Sequence, residues 1–413
     1  MTEFSQEWCA EQDAADPLRA YRSRFDIPKG VIYMDGNSLG PLPVGVSEHI
    51  ANVVNNEWRD GLVKSWNDAD WINLPERAAD KIAPLIGAAA HEVTLADSTS
   101  VNLFKAAAAA CKLNPGRRQI LSEPGNFPTD LYMMEGLANF LGDGYRLDTV
   151  PRADIIEAIT DDTAVLLLTQ VHYITADMLD IAAITQAAHD KGALVVWDLS
   201  HSTGAVPVDL NVANAELAVG CGYKYLNGGP GAPAFIYVAE RHLDKIQQPL
   251  SGWFGHSAPF EFTDKYTPDS GIKRMLTGTT GILGASALYK ALDAFSGVDM
   301  AFVRKKSVAL TELFISLTEA KLAKFDIGLA TPKNAAQRGS HVSLTHKNAY
   351  AVMQALIERG IIGDFRAPNY LRFGITPLYL GYCDIFQAIE ILQDVLESGV
   401  WREARFSEKS AVT

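Results

Sequence analysis

The sequence predicts an α/β fold in which helices cover a large, mostly parallel sheet and a smaller α+β unit follows. Three observations predict it. Helix-period and strand-like segments alternate from about residue 43, with only short Gly, Pro or Asn punctuation between them. Several strand candidates are unbroken apolar runs, such as Ala164-Val165-Leu166-Leu167-Leu168 and Ala193-Leu194-Val195-Val196-Trp197, which suit parallel strands covered on both faces. Near residue 280 the texture changes to long helices separated by isolated short strands.

Taken in order, helical periods cover 43–59, 74–88, 100–113 and 127–141, and strand patterns cover 92–96, 118–122, 145–150, 163–169, 193–199 and 216–221. Further helices follow at 282–296 and 299–323, then Val342-Ser343-Leu344, Leu371-Arg372-Phe373-Gly374-Ile375 and a last helix from Asp384 to Ser398. A chain of 413 residues exceeds what one core usually organises. The expected division is a large unit over 30–280 and a small one made of 1–29 and 281–413.

The composition narrows the function. Hydrophobic residues at 48% and charged residues at 21% are values for a globular chain, not a disordered one. With 36 Lys+Arg against 49 Asp+Glu the net charge is -13, which disfavours nucleic acid and anionic membrane as partners and favours a small molecule. Cys9, Cys111, Cys221 and Cys383 lie far apart without metal-ligand spacing, so no zinc site and no disulfide framework is expected. Residues 1–20 carry acids throughout and no apolar core of a signal peptide, and no apolar run reaches membrane-spanning length, so a cytoplasmic location is expected.

The chemistry begins at Asp198-Leu199-Ser200-His201. Asp198 ends a buried apolar strand, the end at which open α/β sheets bind ligands, and His201 follows three residues later. A carboxylate there is costly to bury without a cationic partner. Leu217-Ala218-Val219-Gly220-Cys221-Gly222-Tyr223-Lys224 supplies one, because this strand runs into a Gly-rich loop that carries Lys224. An apolar setting disfavours the ammonium form, so Lys224 becomes a nucleophilic amine suited to Schiff-base chemistry.

An Asp for a pyridinium nitrogen, a downstream Lys for an imine and an upstream phosphate cradle are what pyridoxal 5'-phosphate requires. The cradle is Asp97-Ser98-Thr99-Ser100-Val101-Asn102, set between the strand at Val93-Thr94-Leu95 and a helix beginning near Ser100, where hydroxyls and free amides converge. Each fragment alone has an ordinary explanation: Asp198 as a capping carboxylate, Lys224 as a surface lysine, Ser98-Thr99-Ser100 as a cap. Their order along the chain joins them. Phe127-Pro128-Thr129-Asp130 opens another helix, with Phe127 placed to stack on a flat ring and Asp130 either facing that ring or capping the helix. Arg372 alternates with Leu371, Phe373 and Ile375 and is either a plain exposed arginine or a fork for a substrate carboxylate.

Tyr33-Met34-Asp35-Gly36-Asn37-Ser38-Leu39-Gly40-Pro41, Ser100-Val101-Asn102-Leu103, Phe127-Pro128-Thr129-Asp130, Asp198-Leu199-Ser200-His201, Tyr223-Lys224-Tyr225-Leu226-Asn227-Gly228-Gly229-Pro230-Gly231 and Gly252-Trp253-Phe254-Gly255 occur in one order. Together they resemble the kynureninases, within the fold-type I pyridoxal-phosphate enzymes of the aminotransferase class V group. The resemblance spans most of the chain, and the Gly-Asn-Ser-Leu-Gly and Tyr-Lys-Tyr-Leu-Asn-Gly-Gly-Pro-Gly segments are its specific part. It implies hydrolysis of L-kynurenine to anthranilate and L-alanine in tryptophan catabolism, with the 3-hydroxy substrate left open, in a homodimer whose active sites lie at the subunit interface.

Residue by residue, the resemblance implies that Lys224 carries the cofactor and acts as base, and that Asp198 partners the pyridinium. Thr99, Ser100, Thr169, Tyr223 and His201 become cofactor neighbours, and Phe127 stacks on the ring with Asp130 beside it. Tyr223 bonds the phosphate and relays a proton. Trp253 and Thr279, with Thr280 as the alternative, reach the phosphate from the neighbouring subunit, and Trp66 faces the substrate. Two rivals remain at this level. A cysteine desulfurase needs a mobile nucleophilic thiol, whereas Cys383 is expected at the start of a helix. A non-catalytic cofactor-binding module would have no need of the full catalytic set.

Overall fold

The computed structural model describes residues 4–408. Seven strands form the main sheet: β1 (Val93–Ala96), β2 (Gln119–Ser122), β3 (Arg146–Thr149), β4 (Thr163–Thr169), β5 (Leu194–Asp198), β6 (Leu217–Gly220) and β7 (Ala234–Val238). Their spatial order is β1-β7-β6-β5-β4-β2-β3. From β3 to β6 every pairing is parallel, while β7 runs antiparallel to both of its neighbours. β7 lies outside the six strands expected from the pattern.

The unbroken apolar runs are explained by two cores, one on each face of the sheet. Along β4, Leu166 and Leu168 enter one core with Val195 and Trp197 of β5, whereas Val165 and Leu167 enter the other with Val196. Strand alternation thus needs apolar residues at every position. Helices α1 (Thr99–Leu113) and α2 (Pro128–Leu141) cover one face through Leu103, Ala106, Met134 and Leu137. Helix α3 (Ile181–Asp190), which the periodicity did not single out, covers the other through Ile184 and Ala188. The period expected over 43–59 appears as a helix at Val46–Asn52 that widens to i→i+5 bonding over Val53–Gly61.

The following segment contains α4 (Ile282–Ala291), α5 (Met300–Leu322), α6 (Ala349–Glu358) and α7 (Tyr382–Ser398). Its antiparallel sheet has strands β8 (Gly328–Leu329), β9 (His341–Thr345), β10 (Asp364–Arg366) and β11 (Tyr370–Gly374), in the order β10-β11-β9-β8. The register sets Arg372 between Ser343 on one side and Asp364 on the other. The N-terminal segment returns to this region. Trp8 meets Tyr382 edge-on at 5.8 Å, Asp13 accepts the amides of Tyr382 and Cys383 at 2.6 and 3.0 Å, and Asp16 pairs with Lys306 at 2.6 Å. Ile32–Tyr33 then pairs in parallel with Ile361–Ile362. Among the described residues no helix is long and apolar enough to cross a membrane.

Candidate active site

The carboxyl ends of β4 and β5 carry the first part of the site. Thr169 and Asp198 are cross-strand partners there, and both are buried. The Asp198 carboxylate accepts the Ser200 amide at 2.8 Å. Asp130 in the first turn of α2 faces this pair and does not cap its helix: Thr169 Oγ1 lies 3.4 Å from its carboxyl, and Phe127 holds the cap position. Burial, and next the adjacent Asp198 carboxylate, push the Asp130 carboxyl well above its usual range. Asn126 completes the group by accepting from Thr169 Oγ1 at 2.6 Å and from the Phe127 amide at 2.7 Å.

The loop after β6 brings Lys224 to the same edge. Its Nζ lies 2.9 Å from His201 Nε2, 5.8 Å from the Phe127 ring centroid and 5.9 Å from that of Tyr223. Burial, reinforced by the Lys224 ammonium, drives the His201 imidazole well below its ordinary range, so it is neutral and can accept from Lys224. Its Nδ1 is buried without a hydrogen-bond partner, and the His341 ring stands 5.7 Å away. Tyr223 has its phenol pushed up to about 12, first by burial and then by Cys221 and Asp198, which keeps it a proton donor.

At the start of α1, Ser98 is the N-cap and accepts the Val101 amide at 3.4 Å, which leaves Thr99 and Ser100 in the first turn. Thr99 Oγ1 is buried with no hydrogen-bond partner, the signature of a hydroxyl awaiting a ligand oxygen. Asp97 precedes it in a left-handed conformation (φ 42°) and is anchored by the buried Lys105 at 2.6 Å. A cavity of about 620 Å³ opens beside this turn, lined by Asp97, Ser98, Gly231, Thr277, Thr279 and Thr280. A larger groove of about 750 Å³, around Arg152, Asp177, Asp209 and Arg304, contains none of the residues singled out from sequence. The smaller cavity is the one that borders the cradle, through Asp97 and Ser98. An orphan hydroxyl at a helix N-terminus, a buried carboxylate at a strand end and a lysine beside a neutral imidazole fit pyridoxal 5'-phosphate.

Arg372 is 1% exposed, so it is not a surface arginine. Its Nε and Nη2 both donate to Asp364, forming a bidentate pair, while Nη2 also reaches Ser38 Oγ at 2.8 Å and Nη1 reaches the Tyr173 carbonyl. The fork that sequence reading offered to a substrate is therefore occupied by a protein carboxylate on its Nε edge. Tyr173 packs edge-on against Phe127 at 5.3 Å, which links the arginine to the lysine side of the site.

Of the remaining expected residues, Trp66 and Trp253 pack with other aromatics, whereas Thr279 borders the cradle. Trp66 sits in an aromatic cluster with Trp71 and Phe254, each at 5.9 Å. Trp253 is 39% exposed and packs with Phe254, Phe260 and Phe262. Thr279 lines the same cavity as Ser98. Sequence reasoning missed Asn126, Lys105, Ser38 and Asp364. For Asn126 and Lys105 the signal was proximity to a chosen motif, whereas Asp364 reveals itself only through strand register.

The region 303–392 matches the family model described as the kynureninase C-terminal domain. A kynureninase of Pseudomonas fluorescens is 48% identical over 410 residues, covering 98% of this chain and 99% of that protein. A kynureninase of Burkholderia mallei (strain SAVP1) is 49% identical over 406 residues, covering 97% and 98%. Among solved structures, the apo cysteine desulfurase from Thermococcus onnurineus NA1 has a TM-score of 0.76 at 17% identity, covering 92% of this chain and 98% of that one. The cystine C-S lyase C-DES with its product cysteine persulfide has a TM-score of 0.75 at 17% identity, covering 89% and 98%. These structures establish the fold-type I architecture and leave the chemistry to the residues. Cys383 begins α7 with its amide bonded to Asp13, and burial pushes its thiol up to about 12, the opposite of a mobile nucleophile. By near-full-length identity, the chain belongs to the kynureninase family.

Proposed function

We propose that this chain is a pyridoxal-phosphate-dependent hydrolase that cleaves L-kynurenine to anthranilate and L-alanine. The observation that carries the reading is the 2.9 Å approach of Lys224 to His201 at the strand edge where Asp198 and Asp130 are both buried. When bound, pyridoxal 5'-phosphate supplies an electron sink for charge developing at the substrate Cα and Cβ.

The chain's own residues do the rest. Asp198 would hold a proton at the cofactor's ring nitrogen by charge attraction in a buried setting, and Asp130, whose carboxyl is pushed up beside it, opposes a second negative charge there. Thr99, Ser100 and the first amides of α1 would hold the phosphate, and Thr169 and His201 would be cofactor neighbours. Phe127 would stack on the cofactor ring. Lys224 moves the proton at the substrate Cα, and Tyr223, kept protonated, bonds the phosphate and relays a proton at Cβ. Water adds to the side-chain ketone, and the Cβ–Cγ bond breaks. Arg372 receives the α-carboxylate and Trp66 faces the aromatic ring. Accepting the 3-hydroxy substrate needs only room for one more hydroxyl.

A homodimer with shared sites completes the reading, with Trp253 and Thr279 or Thr280 acting toward the partner's phosphate. The exposed aromatic group of Trp253, Phe260 and Phe262 supports it. A division at 30–280 and at 1–29 with 281–413 is supported by the two separate sheets and by Trp8 packing on Tyr382. The pairing of Ile32–Tyr33 with Ile361–Ile362 ties the two units, and residues 1–3 and 409–413 lie outside the described residues. Four unpaired cysteines support a cytoplasmic location. Reconstitution with pyridoxal 5'-phosphate and an assay for fluorescent anthranilate and alanine test the function. Cofactor binding without product from kynurenine overturns it.

A further inference from the structure

The Asp35-Gly36-Asn37-Ser38-Leu39-Gly40 motif has no part in the chemistry above, yet it touches both sides of the site. Gly40 donates its amide to the Tyr223 carbonyl at 2.8 Å, and a Cβ there would fall 2.4 Å from the Lys224 carbonyl, so only glycine permits this approach. Two residues earlier, Ser38 Oγ is bonded to the guanidinium of Arg372 at 2.8 Å, that of Arg366 at 3.1 Å, and the Asp364 carboxylate. Arg366 pairs with the same Asp364 oxygen at 2.7 Å.

We propose that Asp364, assisted by Ser38, is a positioning residue that fixes Arg372 as the receptor of the substrate α-carboxylate and stays in place when substrate binds. This rests on the reading that Arg372 takes that carboxylate. Nε, one hydrogen of Nη1 and both of Nη2 are engaged by Asp364, Tyr173 and Ser38, which leaves one Nη1 hydrogen. The Nε of Arg366 is buried and unpartnered in the same cluster, so Arg366 adds a donor to the single free Nη1 hydrogen of Arg372. The charges also balance. Burial and the Asp364 carboxylate raise the Asp35 carboxyl to about 8 against the pull of Arg372, Ser38 and Arg366, and the phenols of Tyr33, Tyr225 and Tyr379 face it. At neutral pH the cluster therefore holds two guanidinium charges and one carboxylate, a single positive excess matched to one incoming carboxylate.

The test titrates holoenzyme with kynurenine and with its decarboxylated analogue, reading cofactor absorbance, alongside KM and kcat. Asp364→Asn is expected to weaken kynurenine ten- to a hundredfold, with KM moving more than kcat and the analogue changing less than twofold. Ser38→Ala is expected to do the same severalfold and decides the matter if Asp364→Asn does not fold. Asp364→Glu should recover part of the loss. Equal weakening of both ligands, or tighter kynurenine binding because Asp364 had merely been filling the fork, overturns the proposal. Arg372→Lys separates the two levels. If it weakens both ligands equally, the carboxylate reading itself fails, and if it discriminates while Asp364→Asn and Ser38→Ala do not, only the positioning role fails.

Discussion

The lysine side of the site and the arginine side are built in opposite ways. Around Lys224, the functional groups hang from consecutive ends of parallel strands: Thr169 ends β4, Asp198 ends β5 with His201 just beyond it, and Lys224 follows β6. Each is placed by its own strand, and cross-strand register aligns neighbours automatically. Around Arg372, the cluster draws Ser38, Asp364 and Tyr173 from segments far apart in the chain, and one buried guanidinium is satisfied only when all of them arrive. The first design tolerates exchange of one member without moving the rest. The second is a network in which loss of one charge leaves another buried and unpaired.

The largest expected effect lies on the lysine side. Lys224→Ala should abolish turnover by several orders of magnitude and remove the borohydride-reducible attachment of the cofactor, while Lys191→Ala and Lys245→Ala do neither. Retained reducible cofactor in the Lys224 variant would break the assignment. Asp198→Asn follows, with kcat lowered by orders of magnitude at saturating cofactor, because stabilising the ring-nitrogen proton underlies each carbanion step. Full turnover in that variant would show that the strand-end carboxylate has no electronic role. In both variants the melting temperature should change little if the strand ends are independent supports.

This contrast also decides what the sequence alone reveals. Ala164–Leu168 and Ala193–Trp197 read as strands because two-sided burial demands apolar residues at every position, and Asp198 stands out because it breaks that demand. Lys224 is legible as the lone cation in the Gly-rich loop that follows an apolar strand. Arg372 was found, but its partner was not. Asp364 sits in a three-residue strand, and only the β10–β11 register places it opposite Arg372. Asp130 was open between ring and cap because a first-turn carboxylate suits either, and the buried Asp198 beside it decides.

On the arginine side the effects are smaller and fall on binding. Removing one partner of a charge-assisted contact in a closed site costs about 2–4 kcal/mol, because the other charge is left unpaired. Arg372→Ala should therefore raise the kynurenine KM about 30- to 1000-fold, and Arg372→Lys nearly as much, since an ammonium cannot hold Asp364 in a planar fork and also present a donor to the substrate. Cofactor absorbance should be unchanged. An altered cofactor spectrum would erase the separation between the two sides.

The smallest effect concerns stability and comes from Asp35. Its carboxyl is raised to about 8 in the folded protein, whereas an unfolded aspartate titrates near 4. Between those values the folded state binds more protons than the unfolded one, so this group's contribution is full below pH about 4 and is lost as pH rises through 8. Asp35→Asn keeps the shape and removes the titration. The melting temperature of the variant, relative to the native protein, should thus rise from pH 5 to pH 8, by a few degrees at most for a chain of this size. Parallel curves over that range would mean that Asp35 is ionised when folded. The cluster would then carry no excess positive charge, and the contrast between a locally supported lysine and a charge-balanced arginine would have to be drawn from geometry alone.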